Sequence, residues 1–317
     1  MIVKAMRGRF LMLAMFCLCS VARATENGGA IWPVGAESYA TAAAVPHPHK
    51  WMFYEYTCFY SANELDDAKG HPNGIPDFKL RVFAVAGKVA YNWGVKTPLG
   101  DLGSWTAVPV LYQQLHLPDG KYSRFDMSNV NIVPVSISNH KGFAYWYYDL
   151  QFETPAAGYD GSKPMNIGQN NHAFTPAFAF TLVPHKGSQN IMSRFDYTID
   201  NPDHTTHYHS GNEFFWQYGA QQEIPGHKMS VGLTGYFYKQ TTNDTLHGAP
   251  VVTMNADGTQ SVGYRGREWD LGPQVTFPLG KHGAMVFKWD HDMLVENKPR
   301  GNGLWFQFGV PLRFTRH

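Results

Sequence analysis

Six apolar side chains take alternate positions near the end of this chain: Leu304, Phe306, Phe308, Val310, Leu312 and Phe314. Trp305, Gln307, Gly309, Pro311 and Arg313 lie between them. A period of two puts all six on one face of an extended strand. Strands of soluble sandwiches average about five or six residues, so a longer strand with one continuous greasy face calls for another setting. The alternation recurs in 228–241, 266–279 and 284–297, each with a large aromatic near one end. A strand that crosses lipid at a tilt needs about 9–11 residues, with aromatics at the two interfaces. The repeated pattern therefore predicts strands that span a bilayer.

The connections point the same way. Short turns read Asn139-His140-Lys141-Gly142, Pro184-His185-Lys186-Gly187, Pro225-Gly226-His227-Lys228 and Gly280-Lys281-His282-Gly283. Longer polar linkers are expected over 155–169, 201–208, 242–265 and 297–303. Short turns on one side and long loops on the other are the habit of outer-membrane barrels, whose short turns face the periplasm. Strands are expected near 50–60, 77–93, 104–117, 127–138, 141–154, 170–183, 189–200, 209–224, 228–241, 266–279, 284–296 and 303–315. That makes twelve, with 94–138 open by one hairpin. In hydrocarbon an unpaired strand edge leaves backbone groups unsatisfied at several kcal/mol each, so the last strand should pair with the first. The predicted fold is an all-β, transmembrane, antiparallel up-and-down β-barrel of about 12 strands. Its competitor, a secreted β-sandwich, requires shorter strands with the apolar face turned inward.

Composition removes other classes. Of 317 residues 16% are charged and 15% aromatic, the reverse of the balance that keeps a chain disordered. A net charge of +1 without a basic tract argues against nucleic acid as a partner. No run of 18 apolar residues offers a transmembrane helix. Lys4, Arg7 and Arg9, then apolar Phe10–Leu18, then Ala22-Arg23-Ala24 read as a cleaved secretory signal peptide over 1–24. Cleavage would leave Cys58 as the sole cysteine and no disulfide framework. Residues 25–49, rich in Gly and Pro, read as an irregular N-terminal arm ahead of a barrel over 50–317.

With apolar positions facing lipid, the opposite register lines the lumen: Arg194, Asp196, Glu213, Gln217, Glu268, Asp270, Gln274, Lys288, Asp290 and Asp292. Lys or Arg on the lipid face would cost about 2–4 kcal/mol at mid-depth. These groups form either a polar track that selects permeants or a set of ion pairs bracing the bore. Aromatic runs must also split between the two faces. Tyr145 and Tyr147, with Asp149 in the same register, would make an amphipathic wall suited to aromatic solutes, and Tyr236 and Tyr238 are expected beside them. The tract His204–His209 invites a metal reading, but no cysteine or neighbouring acidic triad sets a tetrahedral site, and solvated loop histidines are the plainer account. His209-Ser210-Gly211-Asn212 supplies the residue types of an outer-membrane phospholipase. Adjacent residues point to opposite faces, however, which is wrong for a nucleophile and its base. Neither metal nor organic cofactor is expected, and no enzymatic activity.

Several ordered blocks carry a family resemblance. They are Asn166-Ile167-Gly168-Gln169-Asn170 with Phe174 and Pro176; Asp196-Tyr197 with Asn201, Thr206, Tyr208 and Ser210-Gly211-Asn212-Glu213; Gly232-Leu233 with Gly235-Tyr236, Tyr238, Gln240 and Asp244; Gly272-Pro273-Gln274; and Glu296-Asn297 with Pro299 and Gly301. Over roughly 45–315 the chain resembles the outer-membrane proteins of the meta-pathway of phenol degradation family. The resemblance implies a bacterial outer-membrane channel or transporter for passive uptake of small hydrophobic, aromatic compounds; the polar lumen groups are expected to orient their hydroxyl or carboxylate substituents. Lipid and the barrel-assembly machinery are its expected partners. A structural or adhesive barrel and a lipid hydrolase are the alternatives. The chain departs from barrel habit at its end, where Phe314 is followed by Thr315-Arg316-His317 instead of closing the sequence.

Overall fold

The computed structural model describes residues 34–37, 42–156, 158–163, 165–280 and 283–312. The expected signal peptide, the start of the arm and Phe314 lie outside the described residues. In chain order the strands are β1 (Trp51–Leu65), β2 (Lys79–Thr97), β3 (Gly100–Leu117), β4 (Gly120–Met127), β5 (Val130–Lys141), β6 (Ala144–Thr154), β7 (Ala173–Leu182), β8 (Gln189–Asp200), β9 (Tyr208–His209), β10 (Glu213–Glu223), β11 (Ser230–Gln240), β12 (Thr245–Leu246), β13 (Ala249–Pro250), β14 (Val252–Met254), β15 (Gln260–Val262), β16 (Arg267–Leu279), β17 (Gly283–Glu296) and β18 (Pro299–Leu312). The short pieces β9 and β12–β15 pair among themselves in the loops.

The other strands form one antiparallel sheet that closes on itself. β1 pairs with β18 from Trp51↔Leu312 to Leu65↔Pro299, so neither terminal strand leaves a bare edge in lipid. β3 pairs with β5 through its first half and with β4 through its second. β4 and β5 thus share one place in the wall, interrupted at Ser128-Asn129, and the barrel has twelve strand positions. This resolves the segment 94–138. The expected long linker at 297–303 is corrected: β17 and β18 are joined by Asn297-Lys298 alone, and Pro299 already pairs with Leu65. The expected linker at 242–265 is a longer excursion holding β12–β15.

Alternation sets what each face meets. In β7 buried and half-buried residues alternate without a break. In β18 Leu304 is 56% exposed while its neighbour Trp305 is buried. The outer face carries aromatic ladders: Phe178, Phe195 and Trp216 on β7, β8 and β10 stack at 6.5 and 6.1 Å between ring centroids. Trp51, Tyr91 and Trp93 cluster at 4.5 and 5.0 Å near the end that carries the short turns, as an interfacial girdle does. The inner face is packed, not empty. Trp105, Val133, Tyr147, Ala179, Phe215 and Tyr238 form its central apolar cluster, which also takes in Ala42 from the arm.

Candidate functional site

Charged groups in the bore are held by one another. Arg194 is 0% exposed; its guanidinium donates to Asp196 at 2.7 and 3.0 Å and to Asp149 at 3.3 Å. Gln151 donates to Asp196 at 2.9 Å, and the Trp105 indole N–H reaches Asp149 at 3.3 Å and the Tyr147 hydroxyl at 2.6 Å. Burying such charges is tolerable only with pairing of this density. A second group lies across the lumen, where Lys288 pairs with Asp290 at 3.2 Å and Lys298 with Glu268 at 3.5 Å. Tyr236 donates its hydroxyl to Glu268 and its backbone N–H to Asp270, the latter at 2.7 Å. Tyr60 and the Gly301 N–H donate to Asp292 at 2.9 and 2.6 Å. Tyr238 donates to Glu213 at 2.9 Å, and Gln274 to Gln221 at 3.4 Å.

The arm runs inside the barrel. The Glu37 carboxylate accepts from Lys88 at 2.6 Å and from the Tyr56 hydroxyl at 3.2 Å, and the Glu37 backbone N–H donates to Gln217 Oε1 at 3.0 Å. Lys288 donates to the Gly35 carbonyl, and Gln307 to the Ala36 carbonyl at 2.9 Å. Gly35 has φ +83°, and a Cβ there would come within 3.2 Å of the Tyr236 ring and of Asp290, so the strap passes where glycine is favoured. The Ala42 N–H donates to Thr181 at 3.1 Å, and Asn92 to the Pro46 carbonyl at 3.0 Å. The strap divides the bore. On the short-turn side lies a vestibule of about 1480 Å³, and on the long-loop side a cavity of about 300 Å³. Ala36, Glu37, Tyr56 and Lys88 line both and form the partition.

Of the residues expected in the lumen, Tyr236, Glu268, Asp270, Asp290 and Asp292 line the cavity, and Tyr147 lines the vestibule. Asp149, Arg194, Asp196, Glu213, Gln217, Tyr238, Gln274 and Lys288 are buried in the bracing instead. Tyr145 is half-buried and packs beside the central apolar cluster. The cavity's apolar wall was not anticipated. It is the inner face of β2 and β3: Leu80, Val82, Ala84, Ala86, Ala107 and Leu111. Its signal is the run Leu80–Ala86, broken only by Arg81, where apolar residues occupy both registers, as they do when both faces of a strand meet apolar surroundings. Asn166, Ile167 and Gln169 fold over the cavity mouth, with Arg124 donating to Asn166 at 2.6 Å and the Gln169 N–H to Asn129 at 3.0 Å. Above the membrane Asp244 ties the loops together, accepting from Tyr208, Gln240 and the Gly211 N–H, the last at 2.8 Å.

The loop histidines meet in pairs, His207 with His247 at 5.2 Å and His172 with His204 at 6.4 Å between centroids. Among the described residues no group of three or more ligand-type side chains could hold a metal ion, and no helix is long and apolar enough to cross a membrane.

Against known structures, the COG4313 outer membrane channel from Pseudomonas putida F1 superposes with a TM-score of 0.69 at 12% identity, over 85% of this chain and 97% of that one. That likeness shares the barrel fold. The beta domain of the Bordetella autotransporter BrkA gives a TM-score of 0.45 at 8% identity, over 83% of this chain and 100% of that one. The transport unit of the autotransporter AIDA-I from Escherichia coli gives 0.44 at 11%, over 83% and 90%. Both are too slight to argue from. No curated protein matches the chain. Residues 62–308 match the family described as MetA-pathway of phenol degradation. The fold is that of a closed outer-membrane-type β-barrel. The chain belongs to the MetA-pathway of phenol degradation family.

Proposed function

We propose that this barrel facilitates passive uptake of small hydrophobic, aromatic compounds across the outer membrane. The observation that carries the reading is the pair of spaces stacked along the bore and separated by one strap. The outer cavity has an apolar wall and a polar one, and its volume of about 300 Å³ lies at the lower end of ligand pockets. A single-ring compound would lose its hydration there against Leu80, Val82 and Leu111 while its polar substituent faces the acidic wall. Displacement of Ala36 and Glu37 would join cavity to vestibule and open a path to the periplasm. No energy source is needed, since partition into the cavity and release from it suffice. The test is flux of benzyl alcohol into liposomes holding the purified barrel, compared with empty liposomes and with an Ala84→Phe variant that fills the cavity. Flux equal in all three preparations would remove the transport reading. A structural barrel is the second reading, favoured by the density of ion pairs around Arg194; it predicts no flux above that of empty liposomes.

A further inference from the structure

Four of the five short turns carry the same two residues side by side. His140-Lys141 stands where β5 turns into β6, His185-Lys186 between β7 and β8, His227-Lys228 between β10 and β11, and Lys281-His282 between β16 and β17. The last pair lies outside the described residues. Of the others, His140, Lys141, His185, His227 and Lys228 are exposed. Successive turns are two wall strands apart, so the pairs stand around the circumference and not on one flank. Their surroundings set their depth. Phe143, one residue beyond Gly142 from Lys141, is 57% exposed, and Trp93 and Leu99 of the neighbouring β2–β3 hairpin are exposed as well. Trp93 belongs to the aromatic girdle of this end, with Trp51 and Tyr91. A lysine beside outward apolar side chains lays its stem along hydrocarbon and holds its ammonium at headgroup level. The two rims differ in how their cations are met. At the long-loop end Lys69 pairs with Asp257 at 2.6 Å, Arg124 with Asp126 at 3.2 Å and Lys163 with Asp160 at 3.6 Å, while Arg267 meets Glu296 and Arg300 meets Asp66. At the short-turn end two carboxylates are near, Asp101 opposite Lys96 and Glu223 at the end of β10. Among the described residues neither comes within ion-pair distance of a cation, and Lys141 and Lys228 have no acidic partner.

We propose that the short-turn rim gathers anionic phospholipid in the periplasmic leaflet, the phosphate of a headgroup seating at each His-Lys turn. The ammonium supplies the charge, and the imidazole N–H donates a directed hydrogen bond to a phosphate oxygen. A zwitterionic headgroup carries the same phosphate but offsets it with a cation of its own, so the rim selects net negative charge. Sites spread around the whole ring, close to outward apolar side chains, face the lipid annulus. A single macromolecular partner would instead be met by a patch on one flank. The inference concerns the outside of the wall and stands apart from the transport reading.

The test places the full-length protein in phosphatidylcholine vesicles with traces of spin-labelled phosphatidylglycerol or phosphatidylcholine. Electron spin resonance then gives the fraction of each lipid held at the protein surface. One lysine at an anionic surface corresponds to roughly a fivefold preference. Averaged with the neutral remainder of the annulus, phosphatidylglycerol should associate about twofold more strongly than phosphatidylcholine at low salt. The two should associate equally at about 1 M salt, where charges act over only ~3 Å. Lys141→Gln/Lys186→Gln/Lys228→Gln should bring the low-salt ratio close to one, whereas Lys69→Gln/Lys163→Gln at the other end should leave it unchanged. Heat-modifiable gel mobility reports folding, and the single variants Lys141→Gln and Lys228→Gln, each lowering the ratio part of the way, serve where the triple variant does not fold. A low-salt ratio of one in the wild type, a ratio unmoved in the folded rim variants, or an equal fall in the variant of the other end would each overturn the proposal. Cosedimentation with peptidoglycan that is lost in the triple variant, beside a wild-type lipid ratio of one, would assign the rim to cell-wall carboxylates and overturn it too.

Discussion

Replacing Arg194 by Met removes the one cation from a fully buried triad while keeping much of its bulk. Two carboxylates lose it, Asp196 at 2.7 Å and Asp149 at 3.3 Å. Charge-assisted hydrogen bonds contribute about 1.5–3 kcal/mol each, and breaking a buried pair by deleting one partner costs about 3–5 kcal/mol. Asp196 would keep the Gln151 amide at 2.9 Å and Asp149 the Trp105 indole at 3.3 Å. These donors place the loss near the lower bound, about 3 kcal/mol. Neutralising the stranded acids in the triple variant Arg194→Met/Asp149→Asn/Asp196→Asn should restore most of it, because the penalty lies in the unpaired charges. Urea unfolding in lipid vesicles, followed by tryptophan fluorescence, gives both numbers. A loss below about 1 kcal/mol for the single variant, or a triple variant no more stable than the single one, would refute the account of the triad as an interdependent charge set.

Three further outcomes follow from other parts of the molecule. Deleting residues 34–47 removes the partition and should raise single-channel conductance several-fold in planar bilayers; unchanged conductance would mean that the strap does not limit the bore. Gly272→Ala would place a Cβ 1.5 Å from the Trp289 carbonyl oxygen on the neighbouring strand, at or beyond the upper end of overpacking costs, about 3 kcal/mol. The heat-modifiable folded band should be lost, and a normal folded fraction would contradict the packing of β16 on β17. In the loops, burial works against ionised Asp67, but N–H groups of Ala256, His71 and Lys69 at 2.8–3.0 Å hold its carboxyl below the usual aspartate range. Its contribution is therefore complete above the ordinary aspartate pKa and is lost only as pH falls through the depressed value. Pepsin should spare the loop 247–260 until the pH falls below that range, whereas Asp67→Ala should admit thermolysin, which cuts before apolar residues such as Val252 and Met254, at neutral pH.

Much of the wall was legible in the sequence because a strand facing lipid on one side and polar groups on the other writes its register into every second residue. Leu304 and Trp305 sit as that rule demands, and so do Phe195 and Asp196. The tight turn at Asn297-Lys298 was not legible: its polar residues resemble a loop, while pairing with β1 is a long-range contact that sets where β18 begins. The course of the arm was equally hidden, since no periodicity marks a segment whose contacts come from distant strands. The cavity's apolar wall had a signal, the two-register apolar run Leu80–Ala86. Its meaning depends on what stands opposite, and only the closed ring brings Leu80 across from Asp270 and Asp292.

The strap's anchors come from far around the circumference: Lys88 on β2, Gln217 on β10, Lys288 on β17 and Gln307 on β18. Such a set exists only after the first and last strands have met. Residues 34–37, though made before any of the wall, must take up their final contacts last, like a keystone set once the arch is complete, and their seating marks a finished ring.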